Sequence, residues 1–335
     1  MRKISYTKVL FITCIICVCL LVFSLMMGTY QMSVQDVIHT LLGQGNRLQE
    51  FTIYQSRLPR IVLAVIVASA LAVSGTLLQA VTRNPLAEPG MIGINAGAAL
   101  FVVIFISLKT SAYYSSLSMS NVVMMPFVAM MGSILALVII YAFAYRKGLL
   151  PVRFILCGIG VNAGMNAIIT YYQLSMSKGD FNQVLAWTNG SLWGSSWQYI
   201  CVSAPFVFIL CLYAFSKSRV LDIFGIGNEL ASGVGVSIKK EMFTCLFIAT
   251  LLAACATAVA GNIAFLALLG PQLARRFSGN QHRLLFPLAI IISICILLFS
   301  DAIARTLFSP IEIPVGIIVS IIGVPYFIYL MLKGR

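Results

Sequence analysis

Apolar residues run in long blocks along most of the chain, at roughly 9–29, 61–82, 92–108, 122–144, 153–175, 199–215, 285–304 and 313–332. Blocks near 20 residues are what a helix needs to cross a hydrocarbon layer about 30 Å thick. A further run, from Met242 to Ala274, is too long for one crossing, since a helix over it would reach about 50 Å at ~1.5 Å per residue. Lys239 and Lys240 precede this run, and Arg275 and Arg276 follow it. Two passes keep both basic pairs on one side, with the reversal at the polar break Gly261-Asn262 and a short second leg over about 263–273. The pattern therefore predicts an all-α polytopic membrane protein of ten spans.

Charge fixes the orientation. With both ends inside, 16 of the 22 Lys and Arg residues fall on the inner side and 6 on the outer, the bias expected of cytoplasmic loops. The net charge of +13 then reports topology rather than nucleic-acid binding. Composition agrees: 60% of residues are hydrophobic, 9% are charged and the mean hydropathy is +1.00, against about 25% charged in a soluble domain. The first apolar run resembles a signal peptide, but it is too long and lacks a small-x-small cleavage site, so it reads as an uncleaved span. The nine cysteines are scattered singly and read as small packing residues; no disulfide or metal framework is implied.

The polar content sits mainly in the connections. Arg83-Asn84-Pro85-Leu86-Ala87-Glu88-Pro89-Gly90-Met91-Ile92-Gly93 breaks two spans with two prolines and two glycines, so it either caps helices at the surface or lines a path. The charge map favours the inner surface. Arg57-Leu-Pro-Arg60 puts two cations at a helix start, against its dipole, where outward guanidinium groups suit a partner bearing carboxylates. Asp301 and Arg305 have the i, i+4 spacing of an intrahelical pair. Residues 216–241 form an inner connection whose Ile223, Phe224, Leu230, Val234 and Ile238 call for short packed helices rather than a solvated loop. All three tryptophans, Trp187, Trp193 and Trp197, fall in one outer segment, as an interfacial anchor or a short re-entrant helix. In the fifth span Gly158, Gly160 and Gly164 alternate with Asn162 and Asn166, a small and polar stripe that fits close helix contact or a water-filled path. No phosphate-binding loop, zinc-protease motif or nucleophile triad is present, so the sequence points to no enzyme.

The order of these segments resembles the FecCD-type permeases. The residues that carry it are R-L-P-R (57–60), T-R-N-P-L-A-E-P-G-M-I-G-I-N-A-G-A-A (82–99), the Trp187–Trp197 element, Gly270-Pro-Gln-Leu-Ala-Arg275, His282-Arg283, Asp301, Arg305 and Pro314-Val-Gly-Ile. Gln272 stands where the family usually has histidine. The resemblance implies a single transmembrane domain over 1–335 with the type II ABC importer permease fold, both termini cytoplasmic, in the cell membrane. It implies import of an iron–siderophore complex, a ferric hydroxamate within that class, with haem or cobalamin as the other family cargoes. The implied partners are membrane lipid, a second permease subunit, an ABC ATPase dimer carrying ATP and Mg, and an external substrate-binding protein. This chain would bind no cofactor or metal of its own. Arg57, Arg60 and Arg305 would dock the binding protein. Asn84, Leu86, Leu150 and Pro151 would form the cytoplasmic gate, while Asn228, Glu229, Leu230, Gly233 and Gly235 would couple to the ATPase. Gly160, Asn162, Gly164 and Asn166 would face the pore. The competing class is an ion-coupled secondary transporter, for which only Asp301 and Glu88 offer intramembrane carboxylates.

Overall fold

The computed structural model of the chain describes residues 6–28, 30–108, 119–145, 151–176, 181, 184–185, 187–225, 227–233, 235–307 and 312–333. Every regular element among them is a helix. In chain order these are α1 (Tyr6–Met26), α2 (Val34–Leu41), α3 (Arg47–Glu50) running through a π-helical turn (Phe51–Arg57) into α4 (Leu58–Thr82), α5 (Pro89–Ile92), α6 (Ile94–Leu108), α7 (Met119–Ala144) and α8 (Pro151–Leu174). There follow α9 (Trp197–Ser216), α10 (Ser218–Phe224), α11 (Asn228–Gly233), α12 (Ile238–Ala260), α13 (Leu266–Ser278), α14 (His282–Thr306) and α15 (Val315–Lys333). Among the described residues eight helices are long and apolar enough to cross a membrane: α1, α4 with its lead-in, α7, α8, α9, α12, α14 and α15. The apolar α6 is shorter, and so is α13.

Helix α4 is the axis of the fold. Pro59 sits in its first turn, where its missing N–H costs nothing. Nearly all its side chains are buried, against α12, α13 and α14. Its small residues, among them Ala64, Ala68, Ala72, Ser74 and Gly75, allow backbones to approach closely, which is how helices associate where no hydrophobic drive separates lipid from protein. A Cβ on Gly75 would lie 1.8 Å from the Ala267 carbonyl oxygen. The Ser74 hydroxyl donates to the Ala249 carbonyl at 2.7 Å. By contrast α1, α8, α9 and α15 leave most of their side chains half-buried or exposed, as outer helices facing lipid or another subunit do. Cys245 and Cys255 are buried as expected, but Cys14, Cys17, Cys157, Cys211 and Cys295 are only half-buried because they lie on those outer helices or at their seams.

The long 242–274 run is two helices, as its charges require. Gly261 (φ +68°) ends α12, and Phe265 (φ +64°) precedes α13. Both basic ends lie at one face. Lys217, after α9, pairs with Glu241 in α12 at 2.9 Å, and this carboxylate holds the lysine above its usual range through their hydrogen bond. Asp222 of α10, five positions on from Lys217, holds His282 at the start of α14.

The Arg83–Gly93 run departs from its expected place at the inner surface. It starts there, at the end of α4, but then turns inward along α13. The Gln272 side chain donates to the Pro85 carbonyl at 2.6 Å, and the Glu88 carboxylate accepts the Phe265 N–H at 3.0 Å. Phe265 and Gln272 are separated by roughly 10 Å of helix rise. Helix α6 therefore begins well below the inner surface.

Replacing Gly75 with valine should lower the thermal midpoint of the purified chain, since overpacking costs about 1–3 kcal/mol or more. A Cβ on Gly160 meets nothing within 4 Å. Gly160→Ala should therefore leave the same midpoint unchanged or raise it slightly, by up to ~1 kcal/mol of helix propensity.

Candidate functional site

Three groups of polar residues interrupt the apolar body, one at each end and one between. At the outer end, Arg60 and Arg305 converge on Asp301, and Arg57 binds main-chain carbonyls close by. The carboxylate of Asp301 is 1% exposed and lies 2.8 Å from Arg60 Nη2 and 3.1 Å from Arg305 Nε. Arg60 Nη1 reaches Glu312 at 2.8 Å. Arg305 Nη2 donates to the Ser24 hydroxyl at 2.7 Å, and Arg57 donates to the carbonyls of Leu25, Met26 and Tyr30. Cations thus complement the C-terminal carbonyls of α1, where the helix dipole favours them. The expected open arginine face is not found in this conformation: Arg57, Arg60 and Arg305 are 4%, 9% and 7% exposed. In sequence Asp301 is marked by its i+4 arginine and as a candidate intramembrane carboxylate, whereas Glu312 carries no signal.

The middle group surrounds the α12–α13 break. The Asn95 amide donates to Asn262 Oδ1 at 2.8 Å. The Trp187–Trp197 segment dips to the same place, where Ser191 N–H donates to the Ala260 carbonyl at 2.8 Å and Gly316 N–H to the Gly190 carbonyl at 3.0 Å. Gly190 and Leu192 are buried while Trp193 stays exposed, so this segment is a re-entrant prop more than an anchor. Helix α5 packs on α8: a Cβ on Gly158 would lie 2.8 Å from Ile92, and one on Gly93 3.0 Å from the Asn162 backbone. The structure therefore brings the expected gate loop against the expected pathway helix. Within that loop the Asn84 side chain accepts from Leu86 N–H at 2.9 Å, and both residues are half-buried. Pro151 opens α8, and Leu150 lies outside the described residues.

On α8 the expected stripe divides. Gly158 is used for packing, whereas Gly160 and Gly164 have open space over their Cα atoms. Asn166 is exposed and donates to Asn162 Oδ1 at 2.9 Å. At the inner end, residues 216–241 form α10 and α11 as two short helices, with Leu221 and Phe224 buried in the main core. Gly227 (φ +107°) and Gly235 (φ +84°) bracket α11, and Val236 N–H closes back on the Ala231 carbonyl. The side chains of Asn228, Glu229 and Leu230 lie outside the described residues. Among the described residues no cluster of ligating side chains is arranged for a metal.

Removing the charge of Asp301 would leave two buried guanidinium groups without their shared counter-ion. Asp301→Asn is expected to destabilise the chain by roughly 3–5 kcal/mol. Neutralising the more exposed partner in Glu312→Gln should cost no more than about 1 kcal/mol. Thermal unfolding of the two variants side by side checks the difference.

Residues 15–333 match the FecCD transport family. The iron(3+)-hydroxamate import system permease protein FhuG of Bacillus subtilis is 42% identical over 98% of this chain and 97% of its own length. The iron-uptake system permease protein FeuC of the same organism is 35% identical, covering 93% and 94%. The hemin transport system permease protein HmuU of Yersinia pestis is 36% identical, covering 83% and 82%. A solved structure described as an inward-facing metal-chelate type ABC transporter superposes with a TM-score of 0.84 at 27% identity, over 98% of this chain and 99% of that one. With motif, geometry and whole-length similarity in agreement, the chain belongs to the FecCD transport family.

Proposed function

We propose that this chain, acting as one transmembrane unit over 1–335, is the permease subunit of an ABC importer for an iron–siderophore complex. Family membership makes it an integral plasma-membrane transport component rather than an enzyme. The observation that carries the cargo is the whole-length similarity to a permease named for iron(3+)-hydroxamate import, which favours a ferric hydroxamate within the siderophore class. In this reading the ten long or short helices cross the membrane with both ends inside, and α6 and α13 need not span the full thickness because each starts at the interior break. Energy comes from a partner ATPase dimer holding ATP and Mg, which α10 and α11 would meet through Asn228, Glu229, Leu230, Gly233 and Gly235. The α8 face bearing Gly160, Asn162, Gly164 and Asn166 would line a path shared with a second permease. Asn84, Leu86, Leu150 and Pro151 would close its inner end. Coupling and gate would move together, because the gate loop is tied to α13 through Gln272 and Glu88.

Reconstituted with its ATPase and binding protein, the chain should import a ferric hydroxamate when ATP is supplied and remain active when a protonophore collapses the proton gradient. Loss of uptake under the protonophore, with ATP held constant, would assign the chain to ion-coupled transport instead.

Docking of the external binding protein would draw on Arg57, Arg60 and Arg305. Arg57 and Arg305 are committed to α1, so an incoming carboxylate would share Arg60 with Glu312, whose side chain is 31% exposed. Glu312→Gln should therefore tighten binding-protein affinity a few-fold in a surface-immobilised assay; an unchanged affinity removes Arg60 from the docking contact.

A further inference from the structure

The chain between α1 and α4 carries two short helices, α2 and α3, at the outer end of the bundle. Ser33 starts α2: its hydroxyl accepts the Asp36 N–H at 3.1 Å, and the Asp36 carboxylate accepts the Ser33 N–H at 3.0 Å. Val37 and Thr40 are buried, and Val37 joins Met32 and Ile53 in a small core packed on Leu25, Met26 and Leu58. Leu25 and Met26 belong to the last turn of α1, and Leu58 opens α4. Helix α2 therefore lies at the level where one spanning helix leaves the membrane and the next enters it.

Four apolar side chains of this segment are not covered by the protein. Val34, Ile38, Leu41 and Leu42 are between 44% and 69% exposed. At ~100° per residue these four fill one continuous arc of about 100° around the helix axis. Val37 and Thr40, on the side packed against the protein, adjoin the arc at one edge. Gln35, Asp36 and His39, the polar positions, take the remainder from its other edge. A helix resting on a protein in water needs two faces, one packed and one polar. The third, apolar face of α2 calls for a third medium.

The surroundings identify that medium. Helix α1 leaves Val22 and Phe23 exposed one turn before its end, so apolar surface continues from the spanning helix toward α2. Tyr54 and Trp197, residue types that favour the membrane–water interface, stand beside α2. The Tyr54 hydroxyl donates to the Leu41 carbonyl at 3.3 Å, and Trp197 Nε1 donates to the Tyr54 carbonyl at 2.8 Å. Over residues 33–50 the charged side chains are Asp36, Arg47 and Glu50, so attraction to anionic headgroups is weak and apolar burial must carry the contact. We propose that α2 is an interfacial helix whose Val34, Ile38, Leu41 and Leu42 insert among lipid acyl chains just below the headgroups, whatever the headgroup charge. Arg57 holds the adjoining connection through the carbonyls of Leu25, Met26 and Tyr30. The lipid contact thus fixes the height of the outer arginine group in the membrane.

The test uses the full chain in phosphatidylcholine nanodiscs doped with a phospholipid that carries a diazirine high on its acyl chain. Adducts formed on illumination are mapped by mass spectrometry. They are expected at Val34, Ile38, Leu41 and Leu42, as on Val22 and Phe23 of α1, and not on Val37. Ile38→Gln combined with Leu42→Gln, both at exposed positions, should remove most of the α2 adducts and leave those on Phe23. Exchanging part of the phosphatidylcholine for phosphatidylglycerol should leave the pattern unchanged. Adducts on α1 with none on α2 overturn the proposal, as do undiminished α2 adducts in the folded double variant. Labelling of α2 that requires phosphatidylglycerol assigns the contact to headgroup charge and overturns it too. Loss of the α2 adducts on adding the external binding protein makes the arc a protein-docking face, which also overturns it.

Discussion

Backbone that leaves the helix inside a membrane must find its hydrogen bonds within the protein, and that constraint organises this fold. The break between α12 and α13 frees donors and acceptors far from either surface. Glu88 takes the Phe265 N–H, Ser191 takes the Ala260 carbonyl, and Asn95 reaches Asn262. Glu88 and Ser191 come from segments that themselves depart from helix, and Asn95 from the first turn of α6. Three irregular stretches, at Arg83–Gly93, Trp187–Trp197 and Gly261–Phe265, thus satisfy one another, and none of them would be tolerated alone. The short helix α13 follows from the same arrangement.

This shared interior knot has mechanical content. A loop that only capped two helices would move independently of the core. Here the Arg83–Gly93 loop is joined to α13 by Gln272 and Glu88 and rests on α8 through Ile92 and Gly93. Displacement of α13 or of the α10–α14 contact at the inner face is therefore transmitted to the helix with the open glycine face. Such linkage between the inner end and the open face of α8 is what the transport role proposed above would use.

Much of this was legible in the sequence because the relevant signals are local. Lys239, Lys240, Arg275 and Arg276 bracket a run too long for one helix, so the reversal at Gly261 follows from charge and length. Ile223 and Phe224 foretell packed helices at the inner face. What escaped the sequence depends on partners far along the chain. Glu88 meets a backbone N–H 177 positions away, and Arg60 meets a carboxylate 241 positions away. Arg57 looked like a cation awaiting an external carboxylate because its true partners are main-chain carbonyls, which leave no trace in residue type. The glycine stripe of α8 was visible as composition, but only packing separates Gly158, used by Ile92, from the open Gly160 and Gly164.

The outer arginine cluster also sets an order on assembly. Ser24, in the first helix, waits for Arg305, 281 positions later. At synthesis rates of about 5–20 residues per second, that interval is roughly 15 s to 1 min. During it α1 lies in the bilayer with Arg57 at its terminal carbonyls but without Arg305, and with few side chains buried against its neighbours. Biogenesis of this chain is therefore a closing of the circle from the far end: the ninth long or short helix to emerge completes the fastening of the first, and a chain released before Arg305 would leave the end of its opening helix to Arg57 alone.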